Sequence, residues 1–344
     1  MTDCAVSYTR KNVIDYTMEE STPTMSENRI SHLASAFGLS LGKLLSQAEK
    51  DVSYRADLNA ELSKFTGRSH VIGVTGAAGV GKSSIINKLT QCFRSDNHRV
   101  AILSVDPSSP VTGGALLGDR IRMSEHYLDE GVFIRSLATR GQLGGLSSSV
   151  QTALSILDVA GYDVILIETV GTGQADVDLG YIADTVVLVL LPDSGDMIQF
   201  LKAGSLETAD IYVVNKSDRG NNKRILTELN GALTLNHDSH SNDLLIMETS
   251  AITRNDTGIK ELATHLERIN DYRINSGGIS SHRETKLKGA ITTGIRNAIV
   301  AKLLDSKKAQ TLTLDLIQSI QIGDIDIETG ISRAVDVLWG NYDN

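Results

Sequence analysis

The densest chemical signal in this sequence lies around position 80, in Gly76-Ala77-Ala78-Gly79-Val80-Gly81-Lys82-Ser83. Three glycines, a lysine and a hydroxyl at this spacing suit a loop that wraps phosphates. The loop follows the apolar, β-branched run His70–Thr75 and precedes a helical pattern over Lys82–Phe93. In that setting the backbone N–H groups from Ala78 to Ser84 can ring a chain of phosphates, and the helix N-terminus adds its dipole. Lys82 would place a point charge on the β and γ oxygens, and the Ser83 hydroxyl suits Mg²⁺.

A second group selects a base. Asn215-Lys216-Ser217-Asp218 follows the apolar run Ile211–Val214. The Asp218 carboxylate can accept from guanine N1–H and the 2-amino group, which adenine does not offer, and a buried carboxylate left unpaired penalises the wrong base. Lys216 can lie over the base plane, and Asn215 can tie this loop to the phosphate loop. Thr249-Ser250-Ala251 follows a further run, Leu244–Glu248, with backbone amides suited to guanine O6; Ile252 joins Ser250 and Ala251 in the candidate base pocket. Taken in this order, the elements favour GTP over ATP.

The metal and γ-phosphate elements are less standard. Glu168-Thr169-Val170-Gly171 follows the run Val164–Ile167. Glu168 can hold Mg²⁺ through a water, being one methylene longer than aspartate; a plain strand-ending glutamate is the alternative. Gly171 would offer its N–H to the γ-phosphate. Asp106, in Val105-Asp106-Pro107-Ser108-Ser109, and Asp119, in Gly118-Asp119-Arg120, are further candidates for the metal or its waters. Asp119 can equally be a helix cap. Lys82, Asp106, Asp119 and Glu168 thus form the candidate catalytic set, and Ser83, Asp106, Asp119 and Glu168 the metal set. No glutamine directly follows Gly171, and Gln174 stands three positions on. With the water-orienting residue displaced, slow intrinsic hydrolysis is expected, completed by a partner. Arg120, Arg122, Arg135 and Arg140 are candidate arginine fingers.

These groups need a scaffold, and the chain can build one. It has 344 residues, 41% hydrophobic and 22% charged, in the range of ordinary globular proteins. Its net charge of −9 argues against non-specific nucleic-acid binding. Cys4 and Cys92 make neither a disulfide framework nor a zinc site. No apolar run approaches the roughly 20 residues of a membrane helix, and no secretory pattern is visible, so a cytoplasmic setting is expected. Apolar runs alternate with helical patterns from about 70 to 252, which reads as an α/β fold with a mostly parallel sheet flanked by helices. The expected divisions are a loosely ordered extension over 1–28, a helical lead-in over 29–65, a nucleotide-binding domain over 66–270 and a helical region over 271–344. In the last, Leu287, Ile291, Ile295, Ile299 and Leu303 form an i, i+4 stripe that fits either a dimer contact or an internal core.

Together, Gly76–Ser84, Asp106-Pro107-Ser108-Ser109, Ala138-Thr139-Arg140-Gly141, Glu168-Thr169-Val170-Gly171 with Gly173-Gln174, and Asn215–Asp218 resemble the MeaB/ArgK family of P-loop metallochaperone GTPases. The resemblance runs from about residue 29 to the C-terminus. It implies a homodimeric GTPase that gates cofactor loading and protects or reactivates an adenosylcobalamin-dependent acyl-CoA mutase, usually methylmalonyl-CoA mutase. It also implies that the C-terminal helices form the dimer arm, and that Pro192–Gly204, with Asp196 and Lys202, couples nucleotide state to the mutase. Two positions depart from the pattern: Ala77-Ala78 in the phosphate loop and Pro192-Asp193-Ser194-Gly195 in the coupling segment. Alternative readings are a nickel-type metal-insertion GTPase and a small-molecule P-loop kinase. The first expects a metal-binding Cys or His cluster, and the second leaves Asn215–Asp218 unexplained.

Overall fold

Alternate side chains of the buried strands feed two separate helical layers, and that alternation sets the architecture. The computed structural model describes residues 39–63, 65–106, 123–138, 148–169, 174–192, 208–220, 222–236, 245–251 and 258–339. Among these, β1 (His70–Thr75), β2 (Val100–Asp106), β3 (Val132–Ala138), β4 (Val164–Thr169), β5 (Thr185–Leu190), β6 (Ile211–Val214) and β7 (Leu245–Glu248) form one sheet in the order β3-β2-β4-β1-β5-β6-β7. All neighbouring pairs are parallel. β1, β4, β5 and β6 are buried almost throughout, as strands covered on both faces must be.

On one face Ile72, Val74, Ile102, Leu166, Val187 and Val213 pack with α3 (Lys82–Ser95) and α7 (Ile259–Asn275). On the other, Leu103, Ile165, Leu188 and Tyr212 pack with α1 (Leu41–Lys50), α2 (Val52–Leu62), α4 (Ser148–Val159), α5 (Gln174–Ile182) and α6 (Asn222–Asn236). The helices α8 (Gly278–Asp305), α9 (Lys307–Gln321) and α10 (Ile327–Trp339) complete the described chain, with α8 packed on α5 and α7. No helix among the described residues is long and apolar enough to cross a membrane.

The α/β class is observed, and the runs His70–Thr75, Val164–Ile167, Ile211–Val214 and Leu244–Glu248 correspond to β1, β4, β6 and β7, with ends differing by two residues at most. The edge strand β3 was not expected. Arg135 and Ser136 interrupt its apolar run, because an edge strand need not bury every side chain. Arg135 is also not available as an arginine finger. Its guanidinium donates to Gly42 O, Ser46 Oγ and Glu49 Oε2 of α1, tying that helix to the sheet edge. Within the α8 stripe Leu287, Ile291 and Ile295 are 56%, 52% and 55% exposed, so these three are not buried in an internal core. The Leu303 side chain and residues 1–28 lie outside the described residues.

At the end of the sheet opposite the phosphate loop, an ionic cluster anchors α7 and α8. Arg283 Nε and Nη2 donate to the two oxygens of Asp184 at 2.7 and 2.8 Å, and Asp184 also accepts from Val71 N. Arg273 donates to Asp210 at 2.7 Å, and Lys286 to Ala183 O. Burial pushes the Asp184 carboxyl upward, but the Arg283 hydrogen bonds and charge outweigh it and hold the group below the usual carboxylate range. His70 sits beside this cluster, with Nε2 2.9 Å from Thr185 Oγ1. Burial lowers its pKa from 6.5 to about 4; the nearby Asp184 and Asp210 oppose that shift, and Arg273 and Arg283 add to it. The unfolded chain therefore takes up this proton near pH 6.5 and the folded chain only near 4. Between those values the unfolded state binds more protons, so stability is lost as the pH falls. Urea unfolding at several pH values should show a flatter loss between 6.5 and 4 in His70→Gln than in the parent. Equal slopes would mean that this ring is not the titrating group.

Candidate functional site

The phosphate loop is shaped by glycines at positions other residues rarely occupy. Gly76, Gly79 and Gly81 have φ of 142°, 79° and 102°, in the left-handed half of conformational space. Two of them are also pinned by close neighbours. A Cβ on Gly76 would stand 2.3 Å from Val189 O of β5, and one on Gly81 would stand 2.3 Å from Asn215 Nδ2. The loop thus lies directly against the ends of two other strands. Val80 is buried beneath it and helix α3 starts at Lys82. Lys82 Nζ donates to Gly76 O and Ala77 O at 2.8 and 2.9 Å, which keeps the ammonium over the crown of the loop. Ala78 and Ser84 fall within the same turn and first helical residues.

The loops after β6 and β7 meet the phosphate loop through side chains. Asn215 is 1% exposed, and its Nδ2 donates to Val80 O at 2.8 Å. Its Oδ1 accepts from Thr249 Oγ1 at 3.2 Å and from Ala251 N at 3.4 Å. Lys216 takes a left-handed φ of 58°, uncommon for a non-glycine residue, and its Nζ donates to Gly79 O at 2.7 Å. Asp218 Oδ1 accepts from Ser250 Oγ at 2.6 Å. Backbone bonds from Ser217 N to Thr249 O and from Thr249 N to Val214 O lock the two loops together. Asn215, Lys216, Asp218, Ser250 and Ala251 therefore share one region with Gly79–Gly81. The role of the Thr249 hydroxyl was not foreseen from sequence; a hydroxyl directly after a strand opposite an Asn-Lys-x-Asp loop is the signal that could have found it.

On the other side of the loop, Ser83 Oγ donates to Glu168 Oε1 at 2.7 Å. The first turn of α3 and the end of β4 thus bring together a hydroxyl and a buried carboxylate, both hard oxygen donors of the kind that holds Mg²⁺ beside phosphates. Behind them Thr169 Oγ1 and Thr75 Oγ1 are hydrogen-bonded at 3.1 Å, joining β4 to β1 at the root of the loop. The backbone of Asp106 ends β2 on the same side of the sheet. The Asp106 and Gln174 side chains, and all of Asp119, Gly171, Ile252, Arg120, Arg122 and Arg140, lie outside the described residues.

Known proteins carry the same plan. A relative from Pyrococcus horikoshii with a provisional GTPase name is 41% identical over 303 residues, covering 87% of this chain and 94% of that protein. The mouse methylmalonic aciduria type A homolog, described as mitochondrial, is 36% identical over 221 residues, covering 63% of this chain and 53% of that protein. Among solved structures, that of a LAO/AO transport system kinase superposes with a TM-score of 0.71 over 93% of this chain and 99% of the other. At 18% identity this likeness concerns the fold alone. The profile described as "Methylmalonyl Co-A mutase-associated GTPase MeaB" matches residues 41–308. With that match across most of its length, the chain belongs to the MeaB family of GTPases.

Proposed function

We propose that this protein is a cytoplasmic, homodimeric, GTP-hydrolysing chaperone that gates cofactor loading and protects or reactivates an adenosylcobalamin-dependent acyl-CoA mutase, methylmalonyl-CoA mutase. The observation that carries the nucleotide reading is the side-chain clamp of Asn215 on Val80, which unites a phosphate loop with a guanine-type loop. The family description and the mouse homolog's name support the mutase as partner. The half-exposed stripe of Leu287, Ile291 and Ile295, with further exposed Leu314, Ile327 and Ile331 on α9 and α10, supports a second copy of the chain as the cover of this arm.

In this reading the amides of Gly76–Ser84 cradle the phosphates, joined by Gly171 N–H at the γ-phosphate. Lys82 exchanges its loop carbonyls for β and γ oxygens. Ser83 and Glu168 would hold Mg²⁺, Glu168 through a water, with Asp106 and Asp119 at the metal or its waters; the bound cation would neutralise charge on the β and γ oxygens. Asp218 reads the guanine edge, with Ser250, Ala251 and Ile252 around O6. Because Gln174 is displaced and Arg135 is committed to α1, the chain alone is a slow enzyme. Gly76 rests against Val189 of β5, the strand that in sequence precedes the proposed coupling segment Pro192–Gly204.

Asp218→Asn should lower GTP affinity by on the order of 10²-fold, the equivalent of two charged hydrogen bonds, and shift preference towards xanthosine triphosphate. Unchanged base preference in a competition assay would remove Asp218 from the base site. GTP turnover measured with and without purified methylmalonyl-CoA mutase tests the partner: slow turnover alone, stimulation on addition and co-elution are expected. Fast turnover alone, or neither stimulation nor co-elution, would contradict the reading.

A further inference from the structure

Strand β2 is apolar from Val100 to Val105 except at one position, Ser104. Its side chain is 1% exposed, and its Oγ has no hydrogen-bond partner among the described residues. Other buried hydroxyls behave differently. Thr75 and Thr169 satisfy one another, Thr90 donates to Ile86 O, and Thr185 meets His70. A buried hydroxyl without a partner costs stability, and alanine at this position would avoid that cost.

The position of Ser104 indicates what the hydroxyl is for. It pairs in register with Glu168 across β2 and β4, on strands about 4.8 Å apart. Val100 and Ile102 of β2, with Val164 and Leu166 of β4, face the α3 layer, so by strand alternation Ser104 and Glu168 face it too. Ser83, at the start of α3, reaches the same point through its bond to Glu168. Ser104 therefore shares the face of the hard-oxygen pair, next to Glu168 on the side of β4 away from β1.

We propose that Ser104 is a further positioning residue of the Mg²⁺ site: its hydroxyl accepts a hydrogen bond from a water of the cation's hydration shell and donates its own proton towards the Glu168 carboxylate. A hydroxyl has one donor and two acceptor positions, so it can serve both. Mg²⁺ keeps several waters when it binds beside phosphates, and each needs an acceptor. The group has no partner among the described residues and would gain two in the loaded chain. This inference rests on the reading of Ser83 and Glu168 as the Mg²⁺ pair.

The test is Mg²⁺ titration of a fluorescent GTP analogue bound to the full chain, with thermal unfolding of the nucleotide-free protein alongside. Ser104→Ala should raise the Mg²⁺ concentration for half-saturation by about fivefold, the equilibrium weight of one hydrogen bond. Nucleotide affinity in EDTA should be unchanged, and the nucleotide-free variant should melt at or above the parent temperature. Ser104→Thr and Ser104→Val, matched in shape, should separate, with threonine keeping the parent Mg²⁺ response and valine losing it. An unchanged half-saturation in Ser104→Ala overturns the proposal whatever its stability. Glu168→Gln identifies which claim has failed. If it shifts the Mg²⁺ response and Ser104→Ala does not, only the role of Ser104 falls; if neither shifts it, the reading of the metal site falls as well.

Discussion

A single buried asparagine holds the candidate site together. The Asn215 side chain has one donor group and one acceptor oxygen, and it spends them on different loops: Nδ2 on Val80 O after β1, Oδ1 on Thr249 and Ala251 after β7. Its own backbone N donates to Leu190 O of β5. Four strand ends are thereby brought into one rigid assembly. The arrangement requires glycine at position 81, since a side chain there would collide with the amide. Loops at strand ends are normally the mobile part of such a fold. Here the loops after β1, β6 and β7 are cross-bonded through buried groups whose loss would leave Val80 O and Ala251 N unsatisfied.

The two ends of the sheet do different work. At the carboxyl ends, side-chain hydrogen bonds between loops and left-handed glycines shape the surface proposed for an anionic ligand. At the opposite end, Asp184, Asp210, Arg273, Arg283 and Lys286 fix α7 and α8 to the sheet. Helix α5 connects the ends: it begins just past Gly171, and its Leu179 packs against Gly73 of β1 where a side chain would not fit. Tyr181 of the same helix lies on Gly289 of α8. The C-terminal helices are thus seated on the element that follows residues 170–173 in sequence.

Much of this was legible in the sequence where chemistry and local pattern coincide. Gly76–Ser83 and Asn215–Asp218 have fixed spacing, and each follows a strand whose continuous apolar run is unambiguous. Legibility failed where a residue answers to a distant partner. Arg135 lies on the edge strand and looks like a mobile cation, but its role is set by Glu49 and Gly42, nearly ninety residues or more away in sequence. Ser104 looks like an ordinary polar interruption until the β2–β4 register places it beside Glu168. Helix α4 is not evident from sequence because Ser148–Val159 opens with two serines and contains a threonine, residues of weak helical preference, and tertiary burial of Val150, Ile156 and Leu157 overrides it.

The central claim is that phosphate binding and base selection form one coupled unit through Asn215. Titration of GTP and ATP into the parent and into Asn215→Ala tests it most directly, with circular dichroism as a control for folding. The account predicts a strong preference for GTP in the parent. In the folded variant, GTP affinity should fall by about tenfold or more, the weight of the lost buried hydrogen bonds, with a narrowed GTP-to-ATP ratio. A folded Asn215→Ala protein with parental GTP affinity and parental base preference would contradict it.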